Sequence, residues 1–206
     1  MNNRQPRGRA GLVCGAVALV SVLALSACGP GSAVAEAPLA GSPIGGPFTL
    51  QNADGETVTR ETFEGSWRLV YLGFTFCPDI CPTDMQRAAS AYRTLESESP
   101  ALAARLQPIF ISIDPERDTP GIAQEFAAAF HPDFVGLSGT EDQVQDAANA
   151  FAAYRAKGET RDDGFYLMDH SAFIYLLDAD SNPINFYSHE DSAAEIAADI
   201  ESWMTS

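Results

Sequence analysis

The chain has 206 residues, 46% of them apolar, and sets 12 basic against 28 acidic side chains for a formal net charge of −16. So negative a surface excludes nucleic acid and direct adsorption to anionic lipid, both of which call for a cationic face. The segment before Cys28 holds three of the basic residues and no acids. Without it, 9 basic residues face 28 acidic ones, a charge of −19 that solvates the surface and is compatible with a cationic partner.

Arg4, Arg7 and Arg9 precede an uncharged apolar run from Gly11 to Ala27. A basic head, a short apolar core and small residues at the end form the layout of a secretory signal, and the run is shorter than the ~20 residues of a spanning helix. It ends in "LSAC" at 25–28, which resembles the bacterial lipoprotein signal. That resemblance implies a signal peptide over 1–27, lipid on Cys28 and a membrane-anchored protein facing the periplasm or another extracytoplasmic space. Residues 28–46 are mostly Gly, Ala, Pro and Ser with one acid and no apolar periodicity, and read as a flexible membrane tether with a reach of about 20–25 Å. The folded domain is then 47–206, the right length for one domain, and it keeps two of the four cysteines, Cys77 and Cys81.

Within the domain, Phe48–Leu50 and Val58–Thr59 flank "NADGE" and predict a hairpin turning at Asp54-Gly55. "WRLVYLGFTF" reads as a buried strand running into Cys77, and residues 82–98 as a helix with apolar positions at Met85, Ala89, Tyr92 and Leu95. "PIFISID" predicts a second buried strand. Thr119-Pro120 opens a helix to about Phe130, and "FVGLSG" predicts a third strand. Thr140 with Gln143 forms a capping box opening a helix through Phe151. "SAFIYLLD" and "PINFYS" form a hairpin, and Ser192 with Glu195 caps the closing helix near Trp203. Strands alternating with helices predict an α/β domain with a central sheet flanked by helices. Cysteines between a strand and a helix, with a late hairpin and helix, suggest a thioredoxin-like arrangement with an extra N-terminal hairpin.

Two cysteines three residues apart can form a structural bridge, a redox couple or part of a metal site. A bridge closing so small a loop constrains the unfolded chain little, which weakens the first reading. Pro78 and Pro82 disfavour helical geometry at the residues before them, so Cys77 is expected to end the strand and Cys81 to cap the helix, with thiolate character from the helix N-terminus. With an imidazole added, two thiolates suit copper or zinc. Three histidines are available. His131 follows a helix and reads as a turn residue, and His189 lies among acids and reads as solvated. His170 sits immediately before a buried strand, where a thioredoxin-like fold faces the cysteine loop; a ligand and a hydrogen-bonded core histidine both fit there. Asp114 and Asp118 suit turn and cap duties or orientation of the cysteine loop. Asp79 and Asp169 read as outer acids or exposed residues, and Met85 and Met168 as core.

"GFTFCPDICPTDM", "ISIDPERDTP", "FHPDFVGLSG" and "DHSAFIYLLD", in this order, resemble the Sco/SenC family of copper-binding cytochrome c oxidase assembly proteins from about Gly46 to the C-terminus. The resemblance implies one copper ion held by Cys77, Cys81 and His170, and delivery to the dinuclear centre of oxidase subunit II or another copper-accepting protein. For some members it also implies reduction of that centre's cysteines. Many members carry His where this chain has Phe76, which is not one of the three ligands. A monomer is expected. The competing enzymatic readings are a thiol–disulfide oxidoreductase and, because "FTFCP" resembles the peroxiredoxin loop, a thiol peroxidase activated by Thr75 and an arginine. Both use Cys77 and Cys81. The oxidoreductase reading is weakened by "DHS", which lacks the proline that thioredoxins carry at this place.

Overall fold

The computed structural model of the protein describes residues 36–206; the expected signal segment 1–27 and the expected lipidation at Cys28 lie outside the described residues. A five-stranded sheet forms the centre, with β3 (Trp67–Gly73), β4 (Leu106–Ser112), β5 (Val135–Leu137), β8 (Ile174–Leu177) and β9 (Pro183–Tyr187). Their order is β5-β4-β3-β8-β9, parallel across β3, β4 and β5 and antiparallel from β3 to β8 and β9. Every residue of β3 is buried, as its unbroken apolar run predicts for a strand covered on both faces. The one charge in that run, Arg68, donates to the Asp178 carbonyl at 3.0 Å and so holds the turn between β8 and β9.

Helices α1 (Ile80–Glu98) and α5 (Ala193–Thr205) pack together, while α3 (Pro120–Ala128) packs against β4 and β5. On α1 the buried positions Cys81, Met85, Ala88, Tyr92 and Leu95 recur at helical spacing and make one apolar face. The short α2 (Pro100–Ala103) follows directly, and α4 (Glu141–Ala150) starts at its expected capping box. The N-terminal hairpin is β1 (Thr49–Gln51) with β2 (Thr57–Thr59). Gly55 takes φ 78° at its tip, and Gln51 joins the hairpin to Ser138 by a pair of backbone hydrogen bonds. The fold is thioredoxin-like, with the expected hairpin ahead of it.

Three local expectations fail. β3 stops at Gly73, so Cys77 lies in an irregular turn and not at a strand end. α1 begins at Ile80 with Asp79 as its cap, which places Cys81 inside the first turn and Pro82 at the third helical position. Proline is tolerated there because the first N–H groups of a helix have no intrahelical partner. Residues 39–46, expected to be flexible, dock on the domain: Leu39 N–H donates to the Ile184 carbonyl at 3.1 Å and Gly45 N–H to the Ala150 carbonyl at 2.9 Å. A further pair of strands, β6 (Arg155–Lys157) and β7 (Met168–His170), pairs antiparallel outside the main sheet and has no counterpart in the sequence reading.

Candidate metal centre

The turn after β3, the first turn of α1 and the end of β7 meet beyond the C-terminal end of the central strand β3. Cys81 N–H donates to Cys77 Sγ at 3.4 Å, and Cys81 Sγ stands 3.3 Å from His170 Nε2. Residues 89 positions apart are thus brought into contact because β7 is carried over the cysteine turn. Both cysteines are free thiols, Cys81 fully buried and Cys77 half-buried.

The hydrogen-bond network assigns the His170 tautomer. Nδ1 lies 2.8 Å from the Ser171 carbonyl, which can only accept, so Nδ1 carries the proton. The lone pair of Nε2 therefore points at Cys81, whose S–H donates to it. Burial holds His170 below the ordinary histidine range, which keeps the ring neutral at neutral pH. Phe74 and Tyr71 pack edge-on against the imidazole, with centroids 5.8 and 6.4 Å away, and fix its plane.

His131 differs in this respect. It meets Glu96 at 3.0 Å through Nε2, with Asp133 close by, and the three could converge on an ion. Its Nδ1, however, accepts the Asp133 N–H at 3.2 Å, which leaves the proton on Nε2 facing Glu96. A metal on that nitrogen would have to displace both interactions, so the cluster reads as a hydrogen-bonded turn, as expected for His131. His189 is exposed.

The expected thiolate character of Cys81 is overturned. Desolvation outweighs the helix terminus and pushes the thiol above its ordinary range. A buried sulfur next to a neutral imidazole stays protonated until something cationic replaces its proton.

Behind the cysteine turn, Asp118 is fully buried and accepts from Thr75 N–H at 2.9 Å, Thr75 Oγ1 at 2.6 Å and Ser112 Oγ at 2.7 Å. Asp118 therefore orients the cysteine turn from inside, while the cap of α3 is Thr119. Asp114, also buried, accepts from Arg117 Nε at 2.5 Å and Tyr166 Oη at 2.8 Å. The Arg117 guanidinium lies 3.6 Å from the Tyr166 ring centroid and 4.9 Å from that of Phe76, and its Nη1 donates to the Tyr166 carbonyl at 2.9 Å. The chain leading to β7 and His170 is thereby latched to the cysteine turn. The sequence reading missed Arg117 and Tyr166 in this role. Asp79 and Asp169 are exposed, and Met85 and Met168 are buried in the core, as expected.

Phe76 is 52% exposed and leaves the Cys77 side of the centre open to an incoming group. Two sulfurs and one unprotonated nitrogen, open on one side, can hold a soft, low-coordinate cation or close as a disulfide between the sulfurs.

A family model described as SCO1/SenC matches residues 36–205. The mitochondrial protein SCO1 homolog 1 of Arabidopsis thaliana is 40% identical over 156 residues, 75% of this chain and 46% of that protein. The chain spans about half the length of several of the curated relatives it matches. Arabidopsis thaliana ScoI, solved with copper bound, superposes with a TM-score of 0.72 at 35% identity over 79% of this chain and 99% of that one. The structure of BsSco, described as having a disulfide switch and as a member of the Sco family of cytochrome c oxidase assembly proteins, superposes with a TM-score of 0.60. It is 27% identical, and the match covers 77% of this chain and 92% of that one.

Proposed function

The chain belongs to the SCO1/SenC family, and on that premise we propose that it binds one copper ion through Cys77, Cys81 and His170 as cargo for assembly of cytochrome c oxidase. The observation that carries the reading is the 3.3 Å approach of Cys81 Sγ to an unprotonated His170 Nε2 beside Cys77. Thiolate, thiolate and imidazole form a soft donor set, and a three-coordinate shell suits Cu(I), whereas a structural zinc site closes with four protein ligands. Binding replaces the thiol protons by a cation, so burial that disfavours a bare thiolate favours the loaded site and makes affinity rise with pH. Partial exposure of Cys77 lets an acceptor's ligand attach before Cys81 and His170 release, and the ion passes without being freed.

The acceptor is the dinuclear copper centre of oxidase subunit II or another copper-accepting protein. Lipid on Cys28 would hold the monomeric domain at the extracytoplasmic membrane surface where that subunit is assembled. Among the described residues no helix is long and apolar enough to cross a membrane. A half-exposed Cys77 next to a buried Cys81 also suits a thiol–disulfide reductant of the acceptor's cysteines, with Cys77 attacking and Cys81 resolving. The peroxidase reading has less support, since the Thr75 hydroxyl is committed to Asp118 and Arg117 to Asp114 and the Tyr166 carbonyl.

Copper(I) titration of the reduced protein, against Cys77→Ser, Cys81→Ser and His170→Ala, tests the assignment. One equivalent for the parent protein is expected, with affinity lost in all three variants. Full affinity in any one of them removes that residue from the ligand set. Loss of oxidase activity on gene deletion, restored by added copper, would support delivery; restoration by reductant alone would favour the reductant.

A further inference from the structure

Two buried polar groups near the cysteines take no part in the assignment above. Tyr71 of β3 and Asp84 of α1 are each 1% exposed, and neither Tyr71 Oη nor Asp84 Oδ2 has a hydrogen-bond partner. An unpaired buried hydroxyl and an unpaired carboxylate oxygen are each expensive, so their juxtaposition calls for a role.

Both flank Cys81. A Cβ on Gly73 would stand 2.7 Å from Tyr71 Cε1 and 3.1 Å from Cys81 Sγ, so the hydroxyl-bearing edge of the phenol lies beside the sulfur, over the bare Cα of Gly73. Asp84 follows Cys81 by three residues on the same buried face of α1. Its Oδ1 pairs with Arg87, which is itself anchored to the carbonyls of Ser188 at 2.7 Å and Asp191 at 3.0 Å. That leaves Oδ2 facing the interior. Tyr71 also lines the His170 ring. The Tyr71 hydroxyl thus has two acceptors in its neighbourhood, the Cys81 sulfur and Asp84 Oδ2, and is bonded to neither in this arrangement. An ordinary phenol is protonated across the neutral range, so the hydroxyl is available as a donor.

We propose that Tyr71 and Asp84 are positioning residues that set the electron richness of the Cys81 sulfur, the Tyr71 hydroxyl donating to it and Asp84 competing for the same hydrogen bond. The inference rests on the reading of Cys77 and Cys81 as the metal- and disulfide-forming pair. A free cysteine sulfur accepts a hydrogen bond better than a disulfide sulfur. The Tyr71 donor therefore stabilises the dithiol form, and Asp84 weakens that effect by drawing the hydroxyl away.

The test uses the copper-free full chain equilibrated in glutathione buffers. Glutathione disulfide oxidises the pair: two S–H bonds break, one S–S bond forms, and two glutathione thiols carry off the electrons and protons. Tyr71→Phe should raise the equilibrium constant for closing the Cys77–Cys81 disulfide about five- to tenfold, the equivalent of one hydrogen bond. Asp84→Asn should lower it by a similar factor. Tyr175→Phe, a buried tyrosine on β8 away from the cysteines, should leave it unchanged. Thermal melts of all three show whether each is folded at the assay temperature, and a merely structural role moves the melts without opposite shifts in the disulfide equilibrium. Any pattern other than opposite shifts at Tyr71 and Asp84 overturns the inference. A parent protein whose cysteines never pair under oxidant overturns it together with the redox part of the reading it rests on. Copper binding by parent protein that shows the wrong pattern overturns the inference alone.

Discussion

Asp118 makes the most quantitative test of how the cysteine turn is held. Asp118→Ala removes a buried carboxylate that accepts three hydrogen bonds, one of them from the Thr75 backbone N–H. The two hydroxyl donors can rotate towards other acceptors, but the amide cannot, and stranding it costs about 1–3 kcal/mol. With partial loss of the two hydroxyl bonds the expected destabilisation is about 3–5 kcal/mol, or a fall in Tm of roughly 10 °C for a domain of this size. Asp118→Asn keeps the volume and one acceptor oxygen but turns an amide NH2 towards a donor, so about half that loss is expected. Because Thr75 lies two residues before Cys77, the turn should also spend less time in its binding-competent shape. If that fraction falls to about one in ten, the apparent copper Kd rises tenfold. Chemical denaturation of the metal-free protein and competitive copper(I) titration measure the two effects. Stability within about 0.5 kcal/mol of the parent, or full destabilisation with unchanged copper affinity, would refute the reasoning.

Gly73→Ala should shift the Cys81 sulfur and weaken copper binding while destabilising the fold by about 1–3 kcal/mol, since its Cβ would meet Tyr71 and Cys81 below ordinary contact distance; titration and melting check both. His131→Gln should leave copper stoichiometry and affinity unchanged, and a second equivalent lost in that variant would contradict the tautomer argument. Metal-free stability should be greatest between roughly pH 6.5 and 8.5 as far as the two buried groups determine it. The lowered pKa of His170 contributes stability that is present above the unfolded histidine value of about 6.5 and lost as pH falls through the folded one. The raised pKa of Cys81 contributes stability that is full below the unfolded thiol value of about 8.5 and lost as pH rises towards the folded one. Denaturation at a series of pH values checks this, and His170→Ala should abolish the acid-side loss.

Local signals in the chain proved readable where a side chain bonds its own backbone. Asn52 Oδ1 accepts the Asp54 and Glu56 N–H groups in the first hairpin, and the Thr140–Gln143 and Ser192–Glu195 boxes form as their spacing predicts. The start of α1 was misread because proline suits any of the first helical positions, so Pro82 fixes the helix end only to within a turn. β6 and β7 escaped notice because three-residue strands carry no usable periodicity, and their pairing spans a ten-residue polar loop. At the site, Cys77, Cys81 and His170 were identifiable as candidates, yet their contact depends on where β7 passes the end of the central strand β3. The protonation of Cys81 was misjudged for the same reason, since burial is a property of the packed domain and the helix terminus is visible locally. Asp84 did leave a trace, as an acid on the apolar face of a helix.

Copper K-edge X-ray absorption of the reduced protein loaded with one equivalent of copper(I) tests the ligand assignment most directly. Two sulfur neighbours and one nitrogen are predicted, with the nitrogen absent in His170→Ala and one sulfur absent in Cys77→Ser or Cys81→Ser. A shell with a single sulfur in the parent protein, or a nitrogen that persists in His170→Ala, would contradict the account.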